Sequence, residues 1–272
     1  MTWAKTGWDA MDEAEAEASK GGGIRDFWVP VGKTKRIVML DDTGFMFWEH
    51  SLYGLTKQVS DREICLKRNH IAETCPLCEA GDDNKDLRLW PGFVGVFTVI
   101  DCGEVVRNPT TQKLKLEGFK SKKGKLYQFD KKILRAKKGS TDKPGMLPYI
   151  RRKKDIRGGS LLGTVWDCYR AGEKTESIGA EWEYVGKIDV SSAESLRAGL
   201  LALDGSPLTS VNDDLVKELD HAPLPYETIF VPKTAAALAR YLTKGGGGGG
   251  GAKSAGSASD APGEGDPDIP FS

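Results

Sequence analysis

Cys65, Cys75 and Cys78 bring three of the chain's five cysteines into one short stretch. Cys75-Pro-Leu-Cys78 is a Cys-x2-Cys turn, which offers two thiolates from one tight bend, and Cys65 adds a third. Structural zinc takes four tetrahedral Cys and His ligands, so a histidine should complete the set. Two candidates are in reach. His70 lies inside the cluster and gives Cys-x4-His-x4-Cys-x2-Cys. His50 lies upstream and must close a loop about three times longer, a difference of only ~1 kcal/mol in loop entropy. It also ends an expected strand, which would fix its direction. A thioredoxin-like redox pair would need a βαβ context that the flanking sequence lacks. No HExxH pattern or water-activating Glu accompanies the cysteines, so one structural Zn²⁺ is expected and no catalytic residue. Cys102 and Cys168 fall in or beside expected strands, as small core residues.

The elements that would position this cluster are short apolar, β-branched and aromatic runs over residues 36–40, 45–52, 93–100, 113–119, 161–169 and 181–190, broken by Gly, Pro, Asn and Asp. A basic, helix-like stretch covers 127–138. Helical patterns recur at 193–203, 213–219 and 233–242, the last just after Pro232. The fold class expected is mainly β (α+β): a closed five-stranded OB-fold barrel with a zinc-binding insertion at about 50–80, C-terminal helices and a disordered tail. The division is an acidic arm over 1–23 with a weak helix at 9–19, a core over 24–190, a helical segment over 191–244 and a tail over 245–272.

Charge is sharply segregated. Lys and Arg total 39, as do Asp and Glu, but residues 1–20 and 245–272 are each net −3, leaving +6 for the body. Residues 107–157 alone carry eighteen cations against four acids. Such a stripe is the footprint of a polyanion partner, although a solvated Lys-rich face would look alike. No apolar run approaches the ~18 residues that span a bilayer, and no apolar leader follows Met1. A reducing cytoplasm and no membrane partner are therefore expected.

The tail opens with unbroken glycine from Gly245 to Gly251 and continues in Ala, Ser, Pro and acids, a composition that cannot bury enough to fold. Its end differs: Asp266, Asp268, Ile269, Pro270 and Phe271 set apolar groups beside acids, as a docking peptide would.

These motifs, in this order, resemble the zinc-containing single-stranded DNA-binding proteins of T-even and related tailed phages. The likeness rests on His50 at a strand end, Cys65-x9-Cys75-x2-Cys78, the segment KDLRLWPGF at 85–93 running into VGVFTVID, and Phe129-Asp-Lys-Lys-Ile133. It spans about residues 24–190. It implies an OB-fold, favours His50 over His70 as the ligand, and implies a protein that coats single-stranded DNA in phage replication and recombination within the host cytoplasm. The tip is similar to the Ile-Pro-Phe ending of bacterial single-stranded DNA-binding proteins and implies replication or recombination partners. Two departures stand out: Ser272 follows Phe271, and the 9–17 stretch is acidic where the phage family has a basic arm.

A single strand is held by cations on its phosphates and rings on its bases. The cations expected in the trough are Arg88, Lys113, Lys115, Lys120, Lys122, Lys123, Lys125, Lys131, Lys132, Arg135, Arg151, Arg152, Lys153 and Lys154, and the stacking rings are Trp90, Phe93, Phe119 and Tyr127. Trp28, Phe45, Phe47 and Trp48 are assigned to the core. A zinc-ribbon transcriptional or recombination adaptor binding duplex DNA or protein is the alternative. A nuclease or primase is disfavoured by the lack of clustered acids and of a phosphate-cradling Gly loop.

Overall fold

A computed structural model describes residues 25–58, 60–107, 110, 114–117, 119–120, 126–127, 129–140, 143–204 and 219–245. The expected arm over 1–23, the tail beyond 245, its tip and most of the 213–219 helix lie outside these residues. Residues Asp26–Gly248 form one compact unit.

The centre of that unit is a single long strand. β1 (Thr34–Met39), β2 (Phe45–Ser51) and β3 (Arg62–Ile64) precede β4 (Pro91–Arg107), whose seventeen residues are buried from Val94 to Gly103. β2 and β1 run end to end along one edge of β4, in registers His50↔Pro91 to Phe45↔Val96 and Met39↔Val99 to Lys35↔Glu104. Along the other edge lie β8 (Asp130–Lys137) and β5 (Leu114–Glu117). β6 (Phe119–Lys120) and β7 (Leu126–Tyr127) pair as a separate hairpin. β9 (Thr164–Tyr169) joins β1, and β10 (Glu181–Lys187) joins β9. All these pairings are antiparallel.

The sheet is mainly β with helices added, as expected, but it is open. Its main path ends at β10 and at β3, and no pairing among the described residues closes it. The closed barrel of the sequence reading is thus corrected. A second correction concerns residues 127–138, expected as a helix: Asp130–Lys137 is β8, paired residue for residue with β4 from Val94 to Asp101. Its charges mask an alternation that tertiary pairing exploits, with Leu134 and Ala136 buried on one face and Ile133 on the other.

Among the described residues six α-helices dress the sheet. They are α1 (Tyr53–Thr56), α2 (Pro76–Asp83), α3 (Met146–Ile156), α4 (Ala193–Asp204), α5 (Tyr226–Ile229) and α6 (Ala235–Gly245). The sequence reading did not separate α3 from its basic run. Met146 and Ile150, one turn apart, enter the main core with Ile37, Phe97, Leu134 and Trp166, while Lys153 and Lys154 suit the negative C-terminal end of the helix. α4 lays Leu196 and Leu200 over Val38, Ile100 and Val165 on the other side of the sheet. Among the described residues no helix is long and apolar enough to cross a membrane.

Charges are buried in pairs. Arg36 holds Asp167 through two bonds of 2.7 and 2.8 Å, and the fully buried Asp101 accepts from Lys35 at 3.0 Å and Lys132 at 2.8 Å. Removing one partner of such a group strands a buried charge, so Asp101→Ala is expected to lower stability by about 3–5 kcal/mol in denaturant titration. Gly44 makes the step from β1 to β2 with φ +65°, and a Cβ there would stand 2.7 Å from both the Phe97 ring and the Val96 carbonyl. Gly44→Ala should therefore cost roughly 2–4 kcal/mol, combining left-handed strain and overpacking, read as a fall in Tm.

Candidate metal centre and aromatic cleft

His50, Cys65, Cys75 and Cys78 converge, with their ligand atoms all within 4.8 Å of one another. Each comes from a different constraint. His50 ends β2 opposite Pro91 of β4. Cys65 directly follows β3, and its N–H donates to the Trp48 carbonyl at 2.9 Å. Cys75 precedes Pro76 at the start of α2, and Cys78 lies in that first turn.

The spacing suits a small tetrahedral ion. His50 Nε2 is 3.4 Å from Cys75 Sγ and 3.6 Å from Cys78 Sγ, and Cys65 Sγ is 3.5 Å from Cys78 Sγ. A tetrahedron with metal–sulfur bonds of ~2.3 Å and a metal–nitrogen bond of ~2.0–2.1 Å has edges of about 3.6–3.8 Å. The cluster can therefore hold one metal ion. His50 is also in the right tautomer. The Leu89 carbonyl can only accept, so Nδ1–H donates to it and the Nε2 lone pair faces the sulfurs.

Burial shapes the donors. It pushes the His50 pKa down, favouring the neutral ring that a metal needs, and pushes the Cys65 and Cys78 thiols up. Burial also opposes the Cys75 thiolate, yet the N–H groups of Cys78, Leu66 and Leu77 hold its pKa below the ordinary thiol value. His70, the alternative ligand, is exposed with φ 56° and is not in the cluster.

Sequence reasoning missed the residue that fastens the cysteine loop. Asn69 donates to the carbonyls of Trp48 at 2.8 Å and Cys65 at 2.7 Å and accepts from Trp48 N–H at 2.8 Å, pinning the loop to β2. Around the donors, Leu52, Leu66, Leu77 and Leu89 form a small core that Leu238 of α6 completes. The sequence shows no signal for either role, because both depend on contacts distant along the chain.

Next to the centre is an open cleft walled by Trp48, Trp90, Lys67, Arg68 and His70, with Glu73 and Asp82 also lining it. Trp90 is 53 % exposed, and the Arg68 guanidinium lies 5.5 Å over the Trp48 ring. Phe93 is half-buried and meets Trp48 edge-on at 5.2 Å. Trp48 is half-buried, packing against the leucine core around the donors while it walls the cleft, whereas Trp28, also expected in the core, is 47 % exposed. Exposed Arg88 stands two residues before Trp90, in the left-handed region at φ 50°.

The expected cationic trough is not assembled as one patch among the described residues. Lys132 is buried on Asp101. Lys131 and Arg135 share the opposite face of β8 with Ile133, where Arg135 lies over the Phe230 ring and on Glu49, and Lys131 meets Asp220 and the Ala222 carbonyl. Lys153 donates to the Trp182 carbonyl at 3.0 Å and Lys154 to that of Asp42 at 2.9 Å, while Arg151 and Arg152 on α3 and Lys115 on β5 are exposed. Phe119, Lys120 and Tyr127 have their backbones in the β6–β7 hairpin, with side chains outside the description. Lys113, Lys122, Lys123, Lys125 and the tip residues Asp266, Asp268, Ile269, Pro270 and Phe271 lie outside the described residues. The physical reason for the dispersal is that β8 alternates, sending neighbouring cations to opposite faces.

Comparison with protein families, with curated proteins and with solved structures found no match.

The donor set makes a direct prediction. The purified chain should carry one metal ion, His50→Ala and Cys75→Ser should lose it, and His70→Ala should keep it, as read by elemental analysis after dialysis. Binding at such sites is worth about 10–16 kcal/mol in peptides, so metal loss should unfold the small leucine core around the donors, visible as lost amide protection over 61–89.

Proposed function

We propose that this chain binds single-stranded DNA without sequence preference, carrying one structural zinc ion, in the manner of the replication and recombination proteins of tailed phages. The observation that carries the reading is the pairing of an exposed indole, Trp90, with Trp48, Lys67 and Arg68 in an open cleft beside the metal donors. Every base has a face that can stack, and each stacked base is worth about 1–3 kcal/mol, so rings supply affinity without reading sequence. Glu73 and Asp82 in the same wall limit the phosphates this cleft can neutralise, leaving stacking as the larger contribution.

Three sulfurs and one nitrogen favour zinc and leave no open position, which fits a structural ion. Its role is to hold the cysteine loop, and with it Arg68, against β2. The strand order β8–β4–β1/β2–β9–β10, with α3 entering the core between β8 and β9, supports an OB-type sheet opened along the β8–β10 seam. The motif order from His50 to Ile133 supports the phage kinship. The acidic-apolar tip, through Asp266, Asp268, Ile269, Pro270 and Phe271, is the proposed dock for replication and recombination partners.

The first test is fluorescence and gel titration with oligo-dT and with duplex DNA of equal length. Quenching by oligo-dT with little duplex binding is expected; preference for duplex would favour a zinc-ribbon adaptor instead. Trp90→Ala should weaken oligo-dT binding by ~5- to 150-fold, the equivalent of one stacked base, and log Kd should vary with log salt at about 0.7 per phosphate contacted. Deleting residues 245–272 should tighten DNA binding at low salt and abolish partner capture, because a tethered anion competes at high effective concentration; unchanged low-salt affinity would exclude that competition.

A further inference from the structure

The face of the sheet opposite the Trp48 cleft is lined by Phe45, Phe47, Lys131 and Arg135, with Val94, Val96 and Ile133 beneath. In a five-stranded OB arrangement, β4 and β8 take the places of the second and third strands, whose outer face is where such folds hold oligonucleotides. Here the chain itself lies across that face, through residues 219–231.

The covering segment has the chemistry of a short polynucleotide. Tyr226 stacks on Phe45 with ring centroids 5.7 Å apart at 16°, and Phe230 lies 5.1 Å from Phe47 with the Arg135 guanidinium 5.3 Å from its ring. The Asp220 carboxylate is 3.8 Å from Lys131, whose Nζ also donates to the Ala222 carbonyl at 2.8 Å. Rings meet rings and anionic or carbonyl oxygens meet an ammonium, as bases and phosphates would.

We infer that residues 219–231 occupy the outer face of β2, β4 and β8 as an internal stand-in, which a bound single strand of DNA displaces. This inference rests on the reading of the chain as a single-strand binder. The hold on the segment is local: the Tyr226 hydroxyl donates to Asp41, Leu224 N–H donates to Thr98 Oγ1 at 2.9 Å, and Tyr226 Oη and Thr98 Oγ1 are 2.7 Å apart. Downstream, α6 is fixed separately, with Leu238 in the leucine core of the metal module and Lys233 and Tyr241 on Glu63. The segment can therefore leave the face while its C-terminal anchor stays in place.

The test uses the full-length, metal-loaded chain in hydrogen–deuterium exchange, with and without saturating oligo-dT. Amides of 220–231 should exchange about tenfold faster or more with the strand bound, while those of β8 slow; protection of 220–231 that stays or rises in the bound state overturns the inference and leaves the single-strand reading standing. In parallel, Y226A/F230A, checked for metal content and circular dichroism, should bind oligo-dT about tenfold more tightly, the closed fraction no longer taxing affinity. Equal or weaker binding by a folded variant also overturns it. Binding by this variant alone supports both ideas, and no binding by either protein rejects both.

Discussion

The register between β2 and β4 is the constraint on which both candidate surfaces depend. With His50 opposite Pro91 and Trp48 opposite Phe93, these two residues of β2 face the metal module and its cleft. The odd-numbered Phe45, Phe47 and Glu49 face the segment at 219–231 and Arg135. A slip of one residue would exchange the two sets, taking the imidazole from the thiols and turning the cleft's Trp48 inward. The register is held because both faces are apolar where they pack and because β4 is paired along both edges.

On that register the metal module is built as a cross-link. Its donors come from a strand end, a loop and a helix start, and around them Leu52, Leu66, Leu77, Leu89 and Leu238 are buried, with Trp48, Leu55, Leu87, Tyr241 and Leu242 packed against them. An ion bound there would add a cross-link to this burial, so the donors would matter to the fold as well as to the cleft. The same cluster receives α6, so the C-terminal helix reports on the module's integrity.

Charge shows how far composition and architecture can part. The basic stretch over 107–157 reads as a single polyanion-binding stripe, yet among the described residues several of its cations are used internally. Asp101 takes Lys132, Glu49 takes Arg135, and Asp42 takes Lys154. A carboxylate that packing buries, such as Asp101 or Glu49, is costly to leave unpaired, and β-pleating separates neighbours that a linear count adds together. Among the described residues the result is several smaller surfaces rather than one trough.

Local chemistry made much of the molecule legible. The Cys-x9-Cys-x2-Cys spacing located the donors, alternating apolar runs located β1, β2, β4, β9 and β10, and the patterns at 193–203 and 233–242 located α4 and α6 within a few residues. By itself the sequence determined which residues can bind a metal and which stretches must be strands, because thiolate chemistry and hydrophobic period are local properties. Only the tertiary structure decided that His50 rather than His70 meets the cysteines, that Asp130–Lys137 is a strand, that the sheet stays open, and that residues 219–231 cover its outer face. Each of those outcomes depends on pairing or packing between residues far apart in the chain, where the free-energy differences between alternatives are small until the whole sheet is in place.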